Sequence, residues 1–178
     1  RTHRDLHDDP QKGGVSMAAY LETKDLSVGY HGKPLIEDVA LHVQRGKIVT
    51  LIGPNGSGKS TIASLIMRFF DIENGSILVD GKDVRGYSQE ELREKVGYVP
   101  QKAFLFSGTI ADNLRHGKKD ATEEEMVHAL RIAQIDDFVE KQGLDYRVSQ
   151  GGNNFSGGQK QRLSIARAII KKPDIYIF

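Results

Sequence analysis

The stretch Gly53-Pro-Asn-Gly-Ser-Gly-Lys-Ser60 constrains the fold of this chain more than any other. It fits the spacing G-x-x-x-x-G-K-[ST], follows the apolar run Ile48 to Ile52 and precedes the helical pattern Thr61 to Phe70. Gly53, Gly56 and Gly58 let the backbone curl until its N–H groups point inward, because glycine adopts left-handed dihedrals without a Cβ clash. A ring of N–H groups at the start of a helix is an anion cradle, since the helix N-terminus adds partial positive charge. The spacing therefore predicts a loop that binds the phosphates of a nucleoside triphosphate, with ATP and Mg²⁺ as the expected ligands. Pro54, Asn55, Ser57 and Thr61 line or flank the cradle, Lys59 reaches the β- and γ-phosphates, and Ser60 offers its hydroxyl to Mg²⁺.

Strand, loop and helix in that order imply an α/β fold, and the periodicity elsewhere agrees. Leu21 to Val28 and Ile36 to Val43 alternate as half-buried strands do, whereas Ile48 to Ile52 is apolar enough for a central strand covered on both faces. Ser76 to Val79 reads as a strand turning at Asp80-Gly81, Ser88 to Lys95 as a helix, and Val96 to Val99 as a strand stopped by Pro100. Thr109 to Gln142 is mainly helical, with Thr122 as N-cap and Glu123, Glu124 and Glu125 in the first turn. Arg1 to Val15 is polar and reads as a linker or disordered lead covering 1–16. The apolar run Ile175 to Phe178 carries a strand signal up to the last residue, which reads as an incomplete domain over 17–178.

Composition narrows the partners. A chain of 178 residues with a formal net charge of +1 has no general attraction to nucleic acid, and none is expected as a partner. With no cysteine there is no disulfide framework or thiolate metal site. His3, His7, His31, His42, His116 and His128 lack metal-ligand spacing, and Lys118-Lys119 and Lys171-Lys172 read as solvated ends. No run of 18 apolar residues is present to span a bilayer.

A phosphate loop alone leaves kinases, GTPases, helicases and transport ATPases open. Phe155-Ser156-Gly157-Gly158-Gln159, running into Lys160-Gln-Arg-Leu-Ser-Ile-Ala-Arg-Ala-Ile-Ile170, resembles the signature of the ATP-binding cassette family, usually written Leu-Ser-Gly-Gly-Gln. The one departure is Phe155 for leucine, which spares the polar and glycine positions. Ser156 can cap the helix while Gly157, Gly158 and Gln159 leave its N-terminal N–H groups open to an anion. The resemblance spans Leu21 to Phe178. It implies a P-loop core sheet with an N-terminal antiparallel β subdomain and a helical signature subdomain over about 102–172. It also implies a head-to-tail pair of cassettes in which the signature of one closes on the γ-phosphate held by the other. Tyr30 matches the aromatic residue that stacks on adenine, and Gln101 the loop glutamine that touches Mg²⁺ or the attacking water where the nucleotide domain meets the membrane domain.

The segment Val99 to Leu114 resembles the multidrug or lipid exporter branch, whereas Leu26 to Pro34 and the loop from Ile52 to Gly56 look closer to importers. These two likenesses suggest a composite with a seam near the phosphate loop. The exporter resemblance implies transmembrane domains as partners and a place on the cytoplasmic side of the membrane. A soluble ATPase of translation or DNA repair, and a fragment that only binds nucleotide, are the alternatives. In the family, the strand at Ile175 to Phe178 continues into a Mg²⁺ aspartate, a glutamate that polarises water and a later histidine. The chain is therefore expected to bind ATP better than it hydrolyses it, and to be marginally stable because apolar strands lie uncovered. Asp80 also ends an apolar strand, but Asp80-Gly81 reads as a hairpin turn.

Overall fold

The computed structural model describes residues 19–30, 33–54 and 56–178. The expected lead at 1–16 and Asn55 lie outside the described residues. An antiparallel sheet comes first in the chain: β1 (Leu21–Tyr30), β2 (Lys33–Val39), β3 (His42–Val43), β4 (Asn74–Val79) and β5 (Lys82–Asp83). Its order is β2-β1-β4-β5, with β3 also on β1, and the register pairs buried Leu21 with buried Val79 on the apolar face. The β4–β5 hairpin turns on Asp80 (φ 52°) and Gly81 (φ 74°), the two successive left-handed residues that suit a tight hairpin, as the Asp-Gly pair predicts.

Helices α1 (Lys59–Ile66) and α2 (Gln89–Lys95) and the parallel pair β6 (Val96–Tyr98) and β9 (Ile175–Ile177) share that sheet's core. Leu26, Ile77, Val79, Leu92 and Val96 are buried in this cluster, and Ile175 brings β9 into it. Ser88 closes a capping box on α2, its hydroxyl accepting from Glu91 N while the Glu91 carboxylate accepts from Ser88 N.

A second core lies among α3 (Ile110–Arg115), α4 (Glu123–Ile132), α5 (Asp136–Gln142) and α6 (Gly157–Ile169), with the short pair β7 (Gly108–Thr109) and β8 (Arg147–Val148). Leu105, Ile110, Leu114, Met126, Leu130 and Leu163 fill it. Thr122 caps α4 in a capping box with Glu125, as the sequence indicates. Gly117 follows α3 where the chain presses on α6. A Cβ there would lie 2.2 Å from the Arg167 carbonyl oxygen and 2.9 Å from Ile170 Cγ2. Gly117→Ala is expected to cost about 1–3 kcal/mol, because backbone rather than a flexible side chain must yield. An unchanged denaturant midpoint would refute it.

One expectation fails. Ile48 to Ile52 forms no strand, and Ile48 and Ile52 are 95% and 91% exposed. Apolarity marks a segment that can be buried, but a strand also needs a ladder partner. Among the described residues no strand pairs with 48–52, although the two-stranded β6–β9 sheet leaves edges open. Phe178 is likewise 72% exposed, so apolar surface does lie uncovered where the sequence reading expects it.

Smaller differences follow local geometry. The helix expected to reach Phe70 stops at Ile66, because Arg68 turns left-handed (φ 51°). The strand expected over Ile36 to Val43 is divided into β2 and β3. Lys118 and Lys171 are engaged rather than merely solvated: Lys118 Nζ lies 2.6 Å from Glu125 Oε1, and Lys171 Nζ donates to the Arg93 carbonyl.

Candidate nucleotide-binding site

Helix α1 opens directly from the glycine loop, with Gly58 as its N-cap in the left-handed region (φ 78°) and Gly56 likewise left-handed (φ 84°). A Cβ on Gly53 would come within 2.5 Å of Ser57 Oγ, so a larger residue there would push the Ser57 hydroxyl out of its present position in the loop. Lys59 Nζ donates to the carbonyls of Gly53 and Pro54, the latter at 2.9 Å, and to Ser57 Oγ at 3.2 Å. The ammonium has three protons, so a phosphate that engages Lys59 exchanges with the loop's own acceptors.

The charge pattern suits a polyphosphate. The first turn of α1 contains no acidic residue, leaving its positive end uncompensated. Ser60 is exposed and Thr61 partly so, and both follow Lys59 directly on α1. For Mg²⁺, the Ser60 hydroxyl is a hard oxygen donor of the type the ion accepts beside phosphate oxygens and water. Among the described residues no group of three or more His, Cys, Asp or Glu side chains could hold a metal ion unaided.

The second candidate surface is the start of α6. Ser156 is its N-cap: the Ser156 hydroxyl accepts from Gln159 N at 3.2 Å, and Ser156 N donates to Gln159 Oε1 at 2.8 Å. That capping box leaves Gly157 and Gly158 exposed, and nothing lies within 4 Å of a Cβ built on Gly157. Phe155, the departure from the usual leucine, is buried against Phe138 and Tyr146 at centroid distances of 5.4 and 5.8 Å. Its ring anchors the signature turn to the helical core.

Gln101 is exposed just beyond β6. Tyr30 is the last residue of β1, but its side chain lies outside the described residues. Downstream of Gln101, Phe104 and Phe106 meet edge to face at 5.2 Å and are 52% and 42% exposed. Arg167 of α6 supports them, its Nη2 donating to the Phe104 carbonyl at 2.9 Å and its guanidinium lying 5.3 Å from the Phe106 centroid. Burial lowers the Arg167 pKa from its ordinary value. Asn113, 1% exposed, fixes this turn by donating to the carbonyls of Phe106 and Thr109 and accepting from Phe106 N. Sequence reasoning marked the segment only by resemblance; its aromatic surface depends on Arg167, 63 residues from Phe104.

Asp80 sits in its hairpin turn, within 3.4 Å of Lys95 Nζ and 4.0 Å of Arg45 Nη2. Those two cations also flank Asp174, and sequence reasoning did not single out this cluster. No spacing signal could have found it, since its members lie on separate elements.

Residues 36–178 match the ABC transporter family. An uncharacterized ABC transporter ATP-binding protein of Mycobacterium tuberculosis is 53% identical over 148 residues, 82% of this chain and 25% of that protein. The putative multidrug export ATP-binding/permease protein YgaD of Bacillus subtilis is 43% identical over 173 residues, 95% of this chain and 29% of the relative. A solved bacterial Atm1-family ABC exporter with ATP bound superposes with a TM-score of 0.83 at 36% identity, covering 98% of this chain and 31% of that one. The chain thus spans about a quarter to a third of the length of these relatives. Both halves of the chain fall within the YgaD match. The chain belongs to the ABC transporter family and corresponds to the ATP-binding domain of its exporter-type members.

Proposed function

We propose that this chain is the ATP-binding motor unit of an exporter, holding ATP·Mg²⁺ at Gly53 to Ser60 and completing a partner's site with Ser156 to Gln159. The observation that carries this reading is the pair of open helix N-termini on one chain. One is equipped with a lysine and a hydroxyl, the other with a capping box and two exposed glycines. A helix N-terminus without its own carboxylate stabilises an anion, and two of them suit two nucleotides shared between two copies. In this reading Lys59 and the loop N–H groups bind the phosphates, Ser60 and Gln101 hold Mg²⁺, and Tyr30 stacks on adenine. Mg²⁺ would neutralise charge on the β- and γ-phosphates.

The exposed Phe104 and Phe106, just after Gln101, form the surface to which transmembrane domains dock, on the cytoplasmic side of the membrane. No helix among the described residues is long and apolar enough to cross a membrane. ATP turnover by the chain alone is slow in this reading, because the Gln101 amide can orient water but cannot take its proton. The export function in the names of several relatives supports this assignment over a soluble ATPase.

ATP-dependent pairing tests the reading. Sedimentation with ATP and Mg²⁺ should show a dimer that dissociates when nucleotide is removed. Ser156→Asp keeps a good N-cap but puts a carboxylate where the partner's γ-phosphate would lie, so the dimer should be lost while helicity stays unchanged. A dimer that forms equally well in Ser156→Asp would overturn the role given to the signature.

A further inference from the structure

Five titratable side chains from five stretches of sequence converge where the antiparallel sheet meets the β6–β9 pair. Tyr20 is at the centre, 5% exposed, and its hydroxyl donates to Asp174 Oδ2 at 2.6 Å across 154 positions of chain. Its backbone is fixed on both sides: Tyr20 N donates to the Val43 carbonyl and Asp80 N donates to the Tyr20 carbonyl, each at 2.7 Å. The Arg45 guanidinium lies 3.9 Å from the Tyr20 ring centroid and 3.5 Å from Asp174 Oδ1. Lys95, the last residue of α2, is 3.4 Å from the Tyr20 hydroxyl, 3.4 Å from Asp80 Oδ2 and 3.7 Å from Asp174 Oδ2. Two cations therefore face two carboxylates around one phenol.

The position of Asp174 gives the cluster its meaning. It follows Lys172 and Pro173 at the exit from α6 and immediately precedes β9, whose ladder to β6 is only three residues long. Three ladder positions supply few hydrogen bonds, and a parallel pair is slightly less stable per residue than an antiparallel one, so an added tie at the start of β9 matters. Exposed ion pairs contribute little on their own, so Arg45 and Lys95 are secondary to the bond from the buried tyrosine.

We propose that Tyr20 and Asp174 form an acid-sensitive clasp that pins the start of β9 to the antiparallel sheet and so keeps β9 in register on β6. The Tyr20 hydrogen bond, followed by the charges of Lys95 and Arg45, holds the Asp174 carboxyl below its ordinary value. A carboxyl with a lowered folded-state pKa stabilises the fold above its unfolded pKa, about 3.9, and the contribution is lost as pH falls through the lower folded value. On the reading given above, β9 pairs with β6, the strand that leads to Gln101, which makes Tyr20 and Asp174 positioning residues. The test uses no nucleotide, so failure of the clasp and failure of that reading are distinguishable.

Hydrogen exchange of the full chain, read on peptides covering β9 and α6 and corrected for intrinsic pH dependence, tests the clasp. In the native chain, β9 protection should fall severalfold as the pH drops below the ordinary carboxyl range, while α6 stays protected. Tyr20→Phe keeps the ring under Arg45 but removes the hydroxyl, so β9 protection should already be weak at neutral pH and should change little on acidification. Asp174→Asn should show weak β9 protection with no pH step; if that variant fails to fold, Tyr20→Phe still decides. Protection of β9 that does not depend on pH, a Tyr20→Phe profile matching the native one, or parallel loss in β9 and α6 would each overturn the clasp.

Discussion

Lys59→Ala is expected to weaken ATP binding tenfold or more in titration calorimetry with Mg²⁺ present. Charge-assisted hydrogen bonds contribute about 1.5–3 kcal/mol, and each 1.4 kcal/mol is about tenfold in affinity. Two losses combine. The variant lacks the cation that meets the phosphates, and the carbonyls of Gly53 and Pro54 and the Ser57 hydroxyl lose the donor that gathers them. The loop then has more conformations to give up when phosphate binds. Lys59→Arg keeps the charge but replaces a compact ammonium with a planar fork, and should also bind more weakly than the native chain. Native affinity in a folded Lys59→Ala variant would remove Lys59 from the phosphate site.

Leu163→Ala is expected to lower stability by about 2–5 kcal/mol, a large share of the roughly 5–15 kcal/mol available to a domain. Leu163 is 1% exposed in the helical core, on the helix that the signature opens. Helix α6 packs on both α3 and α4, so truncation leaves a cavity that neither neighbour can fill alone. Urea unfolding followed by circular dichroism measures the loss, and a change below about 1 kcal/mol would show that the site collapses easily. Leu163→Met, which nearly conserves volume, should cost under about 1.5 kcal/mol. The comparison separates packing from any effect on the signature turn itself.

What the amino-acid order determined by itself is local. The glycine loop before α1, the Asp80-Gly81 hairpin turn, and the caps at Thr122 and Ser156 all depend on groups within a few residues of one another. Their hydrogen bonds close over three or four positions, so spacing suffices to read them. The family resemblance belongs here too, since it rests on two short motifs.

Tertiary structure decided the rest, because strand partners and charge partners come from far along the chain. Ile48 to Ile52 carries the composition of a central strand, yet it finds no ladder and stays exposed, while the shorter Val96–Tyr98 and Ile175–Ile177 pair across nearly eighty residues. Asp80 and Asp174 look alike as carboxylates beside apolar strands, and only the fold shows them sharing Arg45 and Lys95 while the Tyr20 hydroxyl donates to the Asp174 carboxylate. Backbone groups must be satisfied somewhere, but hydropathy cannot say by whom. The sequence thus determines a phosphate loop and a capped signature helix, and the three-dimensional packing determines which strands and charges hold them in place.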